Sequence, residues 1–183
     1  MSGALATPDE ELAAVIRAIH AAPPRLVYAF AGAGSLALHW LHAVAGSSRT
    51  VLEARDCYAP RSLAELADLG AASAVSEATA KAMSLWARAR AAALAEDDWP
   101  LLGVACTAAI ATDRTRRGAE HAFVAVASDN GVAIFHLTML KGTRDRADQE
   151  ALVSRVVIRA IAAACDAGSV ELALGPGDAL VEG

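Results

Sequence analysis

The chain has 183 residues, of which 55% are hydrophobic and 20% are charged, with 16 basic against 21 acidic side chains. This length suits a single domain that buries its own core. The formal net charge of −5 excludes a basic footprint for nucleic acid or an anionic membrane. No apolar run is long enough to span a bilayer, and the acidic N-terminal segment does not resemble a secretory signal. We therefore expect a cytoplasmic protein that binds neither nucleic acid nor membranes.

The first predicted elements are a helix and a buried strand that runs into a glycine turn. Residues 7–10 (TPDE) have the pattern of a helix start with Thr7 as its cap, and they predict a helix over 8–22. Residues 25–30 (RLVYAF) form a nearly all-apolar run, which is typical of a strand buried on both faces. The turn Gly32–Ser35 then leads into a second helical stretch. Strand, glycine turn and helix together predict the first unit of an α/β fold.

The rest of the chain continues this alternation. Apolar patterns predict strands over 50–58, 101–106, 122–127, 132–140 and 170–174, and helices over 63–69, 76–89 and 145–164. Asp129-Asn130-Gly131 indicates a β-hairpin between two of these strands, so the sheet cannot be entirely parallel. We predict one three-layer α/β/α domain with a mixed sheet over residues 1–183, with a core over about 25–166 and a short C-terminal tail.

The glycine turn is the most pointed local feature for chemistry. Glycines let backbone N–H groups approach an anion, and the N-terminus of the following helix carries partial positive charge. Arg49 and Arg114 could add charge toward a phosphate, although arginines in loops are often simply solvated. The turn matches neither the GxGxxG fingerprint nor a Walker loop. A tight strand-to-helix turn that needs small residues for packing is therefore the competing interpretation.

The cysteines and histidines give weaker indications of a functional site. Cys106 and Thr107 end a predicted strand at the edge where α/β sheets place ligands, so Cys106 is a candidate nucleophile. A cysteine inside a strand is more often a small apolar residue. His39 and His42 lie three residues apart on one predicted helix, but no cysteine or carboxylate in that stretch completes a ligand set. The three cysteines lack CxxC spacing. We expect no disulfide, no metal site and no cofactor.

The order of several segments resembles a known family. These segments are GAGSLALHWLHAVAGSSRT, a strand to Tyr58, AVSEATAKAM, GVACTAAIAT, a hairpin, KGTRD and a long helix. Their succession is similar to the CinA C-terminal domain, the family of nicotinamide-mononucleotide deamidases in pyridine-nucleotide salvage. The resemblance covers roughly residues 26–165, and the spacings from Ser35 to Ser48 and from Ser48 to Tyr58 match the family pattern without a gap. It implies an α/β fold, a mononucleotide ligand and amide hydrolysis.

By this resemblance, only some of the family's functional residues are kept in the chain. The nucleophilic serine of the family falls on Ala31, and the lysine thought to assist it falls on Leu63. The family's tyrosine and threonine are kept as Tyr58 and Thr107. Because a serine nucleophile needs both its hydroxyl and an activating base, the resemblance implies a divergent member that has lost the amidase machinery. Only a slip in the glycine turn would bring Ser35 forward as a substitute nucleophile.

Three functional hypotheses follow from the sequence. In the first, the domain binds a pyridine mononucleotide or a related phosphorylated metabolite without cleaving it. The expected ligand-binding residues are Gly32, Gly34, Ser35, Arg49, Tyr58, Thr107 and Arg114. In the second, it is an active nicotinamide-nucleotide amidohydrolase that uses Ser35, Tyr58 and Thr107, or Cys106. In the third, it is an oligomerising relic whose partner carries the activity. The alanine-rich helices suit close packing, and we expect a homo-oligomer, most simply a homodimer.

Overall fold

The structure is a computed structural model that describes residues 7–66, 73–113 and 118–183. Its helices are α1 (Glu10–Ala21), α2 (Ser35–Ala43), α3 (Pro60–Leu66), α4 (Glu77–Leu94) and α5 (Arg146–Ala164). Its strands are β1 (Arg25–Ala31), β2 (Val51–Asp56), β3 (Leu101–Ala109), β4 (Glu120–Ser128), β5 (Gly131–Met139) and β6 (Ala179–Glu182). A short 3-10 turn, Ser47–Arg49, precedes β2.

The six strands form one mixed sheet in the order β2-β1-β3-β4-β5-β6. Strand β1 is parallel to both β2 and β3, and the pairs from β3 to β6 are antiparallel. Helices α1, α2 and α5 pack on one face of the sheet, and α3 and α4 pack on the other. The predicted α/β fold with a mixed sheet and a hairpin is confirmed. None of the described helices is both long enough and apolar enough to cross a membrane.

Strand β1 is the centre of the core because both of its faces are covered. Leu26, Tyr28 and Phe30 point into the cluster formed with α1, α2 and α5. The alternate residues Val27 and Ala29 point toward α4. A strand with two covered faces needs apolar side chains at every position, which is why the sequence shows a continuous run rather than an alternation.

The N-terminal helix begins later than the sequence pattern predicts. Its cap is Asp9, not Thr7, and the Asp9 carboxylate accepts a hydrogen bond from the Leu12 amide at 2.9 Å. Pro8 therefore lies before the cap instead of in the first turn. A carboxylate at this position satisfies a free amide and also interacts favourably with the positive end of the helix, so it is the stronger cap.

The structure of the C-terminal segment differs from a second prediction. Residues 170–174 do not form a strand, although Val170 is buried in the core. The last strand is instead β6, which lies in the expected tail and pairs with β5. The chain turns back at Asp178, whose carboxylate accepts hydrogen bonds from the Leu140 amide at 2.9 Å and the Gly175 amide at 2.7 Å. These tertiary contacts, rather than strand propensity, decide where the chain joins the sheet.

Candidate functional site

The candidate site lies where β1 and β3 end. The connection from β1 to β2 runs through α2 on one face of the sheet, and the connection from β2 to β3 runs through α3 and α4 on the other. The sheet therefore has a topological switch point between β1 and β3. In open α/β sheets, ligands bind in the crevice outside the carboxyl ends of the strands at such a point. Gly32 follows β1 directly at this place.

A pocket of about 200 Å³ opens at this crevice, and we call it the alkyl pocket. Its lining includes Ala31, Gly32, Cys57, Tyr58, Leu63 and Thr107. Ala31 and Leu63, the positions onto which the resemblance places the serine and the lysine, thus line one cavity together with Tyr58 and Thr107. The Thr107 hydroxyl already donates a hydrogen bond to the Ala74 carbonyl at 2.6 Å. The described walls of this pocket hold no base that could activate a hydroxyl nucleophile.

A smaller pocket of about 90 Å³ adjoins the first, and we call it the acidic pocket. Its lining includes Gly32, Ser35, Asp56, Tyr58, Arg146 and Glu150. The two pockets share Gly32 and Tyr58. The Tyr58 side chain is 70% exposed, so the face of its ring is available to a ligand at the mouth of both pockets.

The Glu150 carboxylate already occupies the N-terminus of α2. It accepts hydrogen bonds from the Gly34 amide at 3.0 Å, the Leu36 amide at 3.0 Å and the Ser35 hydroxyl at 3.1 Å. The Ser154 hydroxyl donates a further bond at 3.2 Å. Gly34, the N-cap of α2, has no side chain of its own, so a carboxylate from α5 supplies the cap from across the fold. A phosphate can reach these amides only if Glu150 moves away.

The glycines of the turn have a steric reason to be glycine. Gly32 and Gly34 have φ angles of 86° and 104°, which side chains rarely adopt. A Cβ atom on Gly32 would lie 2.2 Å from the Ala108 carbonyl oxygen, and one on Gly34 would lie 2.3 Å from the Tyr28 hydroxyl. These contacts support the packing interpretation of the turn. Phosphate binding by its backbone stays a prediction.

The structure places Arg49 away from the turn beside which the sequence analysis expects both Arg49 and Arg114. Arg49 lies in the 3-10 turn before β2, at the opposite end of the sheet from Gly32. Arg114 lies outside the described residues. The guanidinium that reaches the acidic pocket belongs to Arg146 in the first turn of α5, and its Nη1 donates a hydrogen bond to the Ala111 carbonyl at 2.8 Å.

Three site residues were missed by sequence reasoning, namely Asp56, Arg146 and Glu150. Asp56 could have been found, because it lies two residues before the end of the strand predicted over 50–58, at the edge where ligands bind. Arg146 and Glu150 are four residues apart on α5, which is the spacing of an ordinary solvated pair on a helix surface. Nothing in the local pattern distinguishes them from such a pair.

The thiols of the three cysteines are held in their neutral form. Burial raises the pKa of the Cys106 thiol far above its usual range and also raises the pKa of Cys57. Burial likewise raises the pKa of Cys165 to about 11. Since the thiolate is the nucleophile, Cys106 is unsuited to nucleophilic catalysis. A small apolar role within β3 fits its surroundings better.

We expect thiol reagents to label the native protein slowly at pH 8, because a raised pKa leaves little thiolate there. Cys165, which is only partly buried, should react first, and its rate should keep rising with pH toward its pKa of about 11. Labelling kinetics with dithionitrobenzoate on single Cys→Ser variants would measure each rate. Rapid labelling of Cys106 at neutral pH would contradict its placement as an inert core residue.

Comparison with solved structures supports the α/β fold described above. No protein-family model and no curated protein sequence matches the chain. Among solved structures, the competence/damage inducible protein CihA from Agrobacterium tumefaciens is 20% identical, with 84% of this chain and 94% of that chain covered and a TM-score of 0.67. A CinA superfamily protein from Escherichia coli is 17% identical, with coverages of 86% and 90% and a TM-score of 0.65. The competence damage-inducible protein A (ComA) from Klebsiella pneumoniae is 21% identical, with coverages of 84% and 94% and a TM-score of 0.62.

Proposed function

On the premise that this chain has the CinA-like fold, as the resemblance predicted, we propose that it binds a pyridine mononucleotide or a related phosphorylated metabolite without hydrolysing it. The observation that carries the proposal is the composition of the alkyl pocket. It retains Tyr58 and Thr107 at the switch point of the sheet, but it presents Ala31 and Leu63 where the resemblance expects the nucleophile and its assisting base. The pocket thus keeps two of the side chains that the resemblance expects and lacks the groups that attack an amide.

Tyr58 and the alkyl pocket suit the ring of such a ligand. The Tyr58 ring is exposed over most of its surface, and the wall beside it is formed by alkyl groups such as Leu63 and Pro60. A flat aromatic ring that stacks on the tyrosine also removes apolar surface from water. This arrangement favours a ligand with a planar ring over an open-chain metabolite.

Arg146 is the best-placed described residue for the phosphate. It is exposed, it lines the acidic pocket, and its hydrogen bond to Ala111 holds one edge of the guanidinium in place. The remaining N–H groups can donate to phosphate oxygens. Glu150 excludes phosphate from the α2 amides in the structure as it stands, so the phosphate is expected to lie on the Arg146 side of the acidic pocket.

Calorimetric titration with nicotinamide mononucleotide, and with its riboside as a matched ligand that lacks the phosphate, tests the proposal. Tyr58→Ala should weaken both ligands about tenfold, because stacking on an aromatic side chain contributes roughly 1–3 kcal/mol. Arg146→Gln should weaken the mononucleotide and leave the riboside unchanged. Leu85→Ala, which removes another exposed apolar side chain, serves as the control.

Ammonia release at high protein concentration distinguishes binding from turnover. We expect no release above background from nicotinamide mononucleotide. Tyr58→Ala is a suitable control for contaminants, because release from this site should fall when Tyr58 is removed, whereas release by a contaminant should not. Failure of both ligands to bind at millimolar concentration would refute the proposed ligand class.

A second candidate, an active nicotinamide-nucleotide amidohydrolase, draws support from one contact. The Ser35 hydroxyl donates a hydrogen bond to a carboxylate, that of Glu150, at 3.1 Å, and Ser35 lines the acidic pocket. Against this, the same carboxylate oxygen caps α2 by accepting from the Gly34 and Leu36 amides, so a proton taken from Ser35 would weaken this cap. Ammonia release that disappears in Ser35→Ala would favour this candidate over the binding module.

A further inference from the structure

A third pocket lies at the opposite end of the sheet, and neither the resemblance nor the proposed function uses it. It has a volume of about 230 Å³ and is lined by His20, Pro23, Arg25, Arg49 and Trp99, with Ala21 and Ala22. We call it the tryptophan pocket. It is formed where the α1–β1 loop, the 3-10 turn before β2 and the loop before β3 meet. At about 3.3 Å per residue, the length of β1 separates it from Gly32 by roughly 20 Å.

The guanidinium of Arg49 contacts the wall of this pocket through its Nε atom. Its Nε donates a hydrogen bond to the His20 carbonyl at 3.3 Å. The His20 ring is itself fixed, because Nε2 lies 2.9 Å from the Leu41 carbonyl and Nδ1 lies 2.8 Å from the Thr50 hydroxyl. This bond uses Nε, so the terminal N–H groups of Arg49 can donate to a ligand.

Arg49 has no carboxylate partner among the described residues. Arg25, the other arginine in the pocket, forms an ion pair with Asp97 at 2.9 Å. Arg49 forms no ion pair within the described parts of the chain. The described lining of the pocket thus holds two guanidinium groups and no carboxylate, while Glu96, Asp97 and Asp98 lie in the adjoining loop. A guanidinium without a carboxylate partner attracts an anion.

Trp99 adds an aromatic surface to this pocket. Its side chain is 47% exposed, in the loop immediately before β3, while the pocket places it with Arg25 and Arg49. An indole face beside a guanidinium suits a planar ring that carries a negative group, since the ring stacks and the anion pairs. The volume is below the range usual for drug-sized ligands, which restricts the ligand to a small molecule.

We propose that the tryptophan pocket binds a small planar aromatic anion, with the anionic group on Arg49 and the ring against Trp99. This site is distinct from the alkyl and acidic pockets, and it does not depend on the proposed function. Its ligand is defined by one negative charge attached to one flat ring. An aromatic carboxylate is the simplest example of that chemistry.

Titration of the full chain with benzoate, followed by NMR of the Trp99 indole N–H, tests this proposal. The resonance is assigned from its absence in Trp99→Phe. Benzoate should shift it saturably, and Arg49→Gln should weaken binding about tenfold, as expected for the loss of a charged hydrogen bond. Benzamide has the same shape without the charge, and cyclohexanecarboxylate has the charge without the aromatic ring. Both should bind more weakly than benzoate.

The control variant is Arg17→Gln, which removes an exposed arginine on α1 that does not line the pocket. It should bind benzoate as the unmodified protein does. Equal affinity for benzoate and benzamide, or an unchanged affinity in Arg49→Gln, would overturn the assignment of the anion to Arg49. Absence of any saturable shift up to the solubility limit of benzoate would overturn the site. None of these results bears on the alkyl pocket, because nicotinamide mononucleotide binding there is measured separately, by calorimetry on the unmodified protein and on Tyr58→Ala.

Discussion

Replacing Glu150 by alanine is expected to lower the free energy of unfolding by about 3 kcal/mol, because two backbone amides and two hydroxyls lose a charged acceptor. The amides of Gly34 and Leu36 dominate this loss. They are fixed by the α2 backbone and cannot turn to another partner, whereas the hydroxyls of Ser35 and Ser154 can rotate. Water can enter the acidic pocket and recover part of the loss, which limits the effect to a few kcal/mol.

Glu150→Gln keeps an oxygen that accepts hydrogen bonds but removes the charge at the positive end of α2. We therefore expect it to cost about 1 kcal/mol, between the alanine variant and the unmodified protein. Glu96→Ala removes an exposed glutamate in the loop before β3 and should change stability little. Urea unfolding of the three variants measures the order of their free energies of unfolding. If Glu150→Ala proved as stable as Glu96→Ala, the cap supplied by α5 would not contribute to the fold.

Replacing Gly103 by alanine should destabilise the protein by about 3 kcal/mol or more, because the added methyl group has no space and forces backbone to move. Gly103 lies in β3 beneath α4. A Cβ atom there would lie 2.0 Å from the Ser84 carbonyl oxygen and 2.2 Å from the Arg88 amide nitrogen. Both are backbone atoms, so no side chain can rotate out of the way. The whole helix must lift from a face that also covers β1 and β4.

Gly118→Ala is the matched control for Gly103→Ala. No described atom lies within 4 Å of the position that its Cβ would occupy, so we expect a change of less than about 0.5 kcal/mol. Thermal unfolding followed by circular dichroism compares the two variants directly. Equal stability of Gly103→Ala and Gly118→Ala would contradict the close packing of α4 on β3.

Much of the fold could be predicted from local pattern. The all-apolar run of β1 and the Asp129-Asn130-Gly131 hairpin both lie where expected. So does α4, where Ser76 caps the helix by accepting a hydrogen bond from the Thr79 amide. These features depend on residues close together in the chain, so a short window of sequence contains their cause. The exceptions, the Asp9 cap and strand β6, show where a competing local or distant contact prevails.

The candidate site was predictable only in part. The sequence indicated Gly32, Tyr58 and Thr107, and the fold brings these residues to one crevice. Arg49 was also expected there, but it lies in the 3-10 turn before β2, one strand length away. A strand carries its two ends to opposite edges of the sheet, so residues that are near in sequence to the site can be far from it in space.

The sequence by itself determined the α/β class, the alternation of elements and the alkyl side chains at positions 31 and 63, because each depends on residue type or short-range periodicity. Only the tertiary structure decided that Glu150 fills the anion position at α2, that Arg146 replaces Arg49 beside the pocket, and that the last residues close the sheet as β6. Glu150 and Gly34 are 116 residues apart. No local signal encodes such a contact, since it arises only when α5 packs against α2.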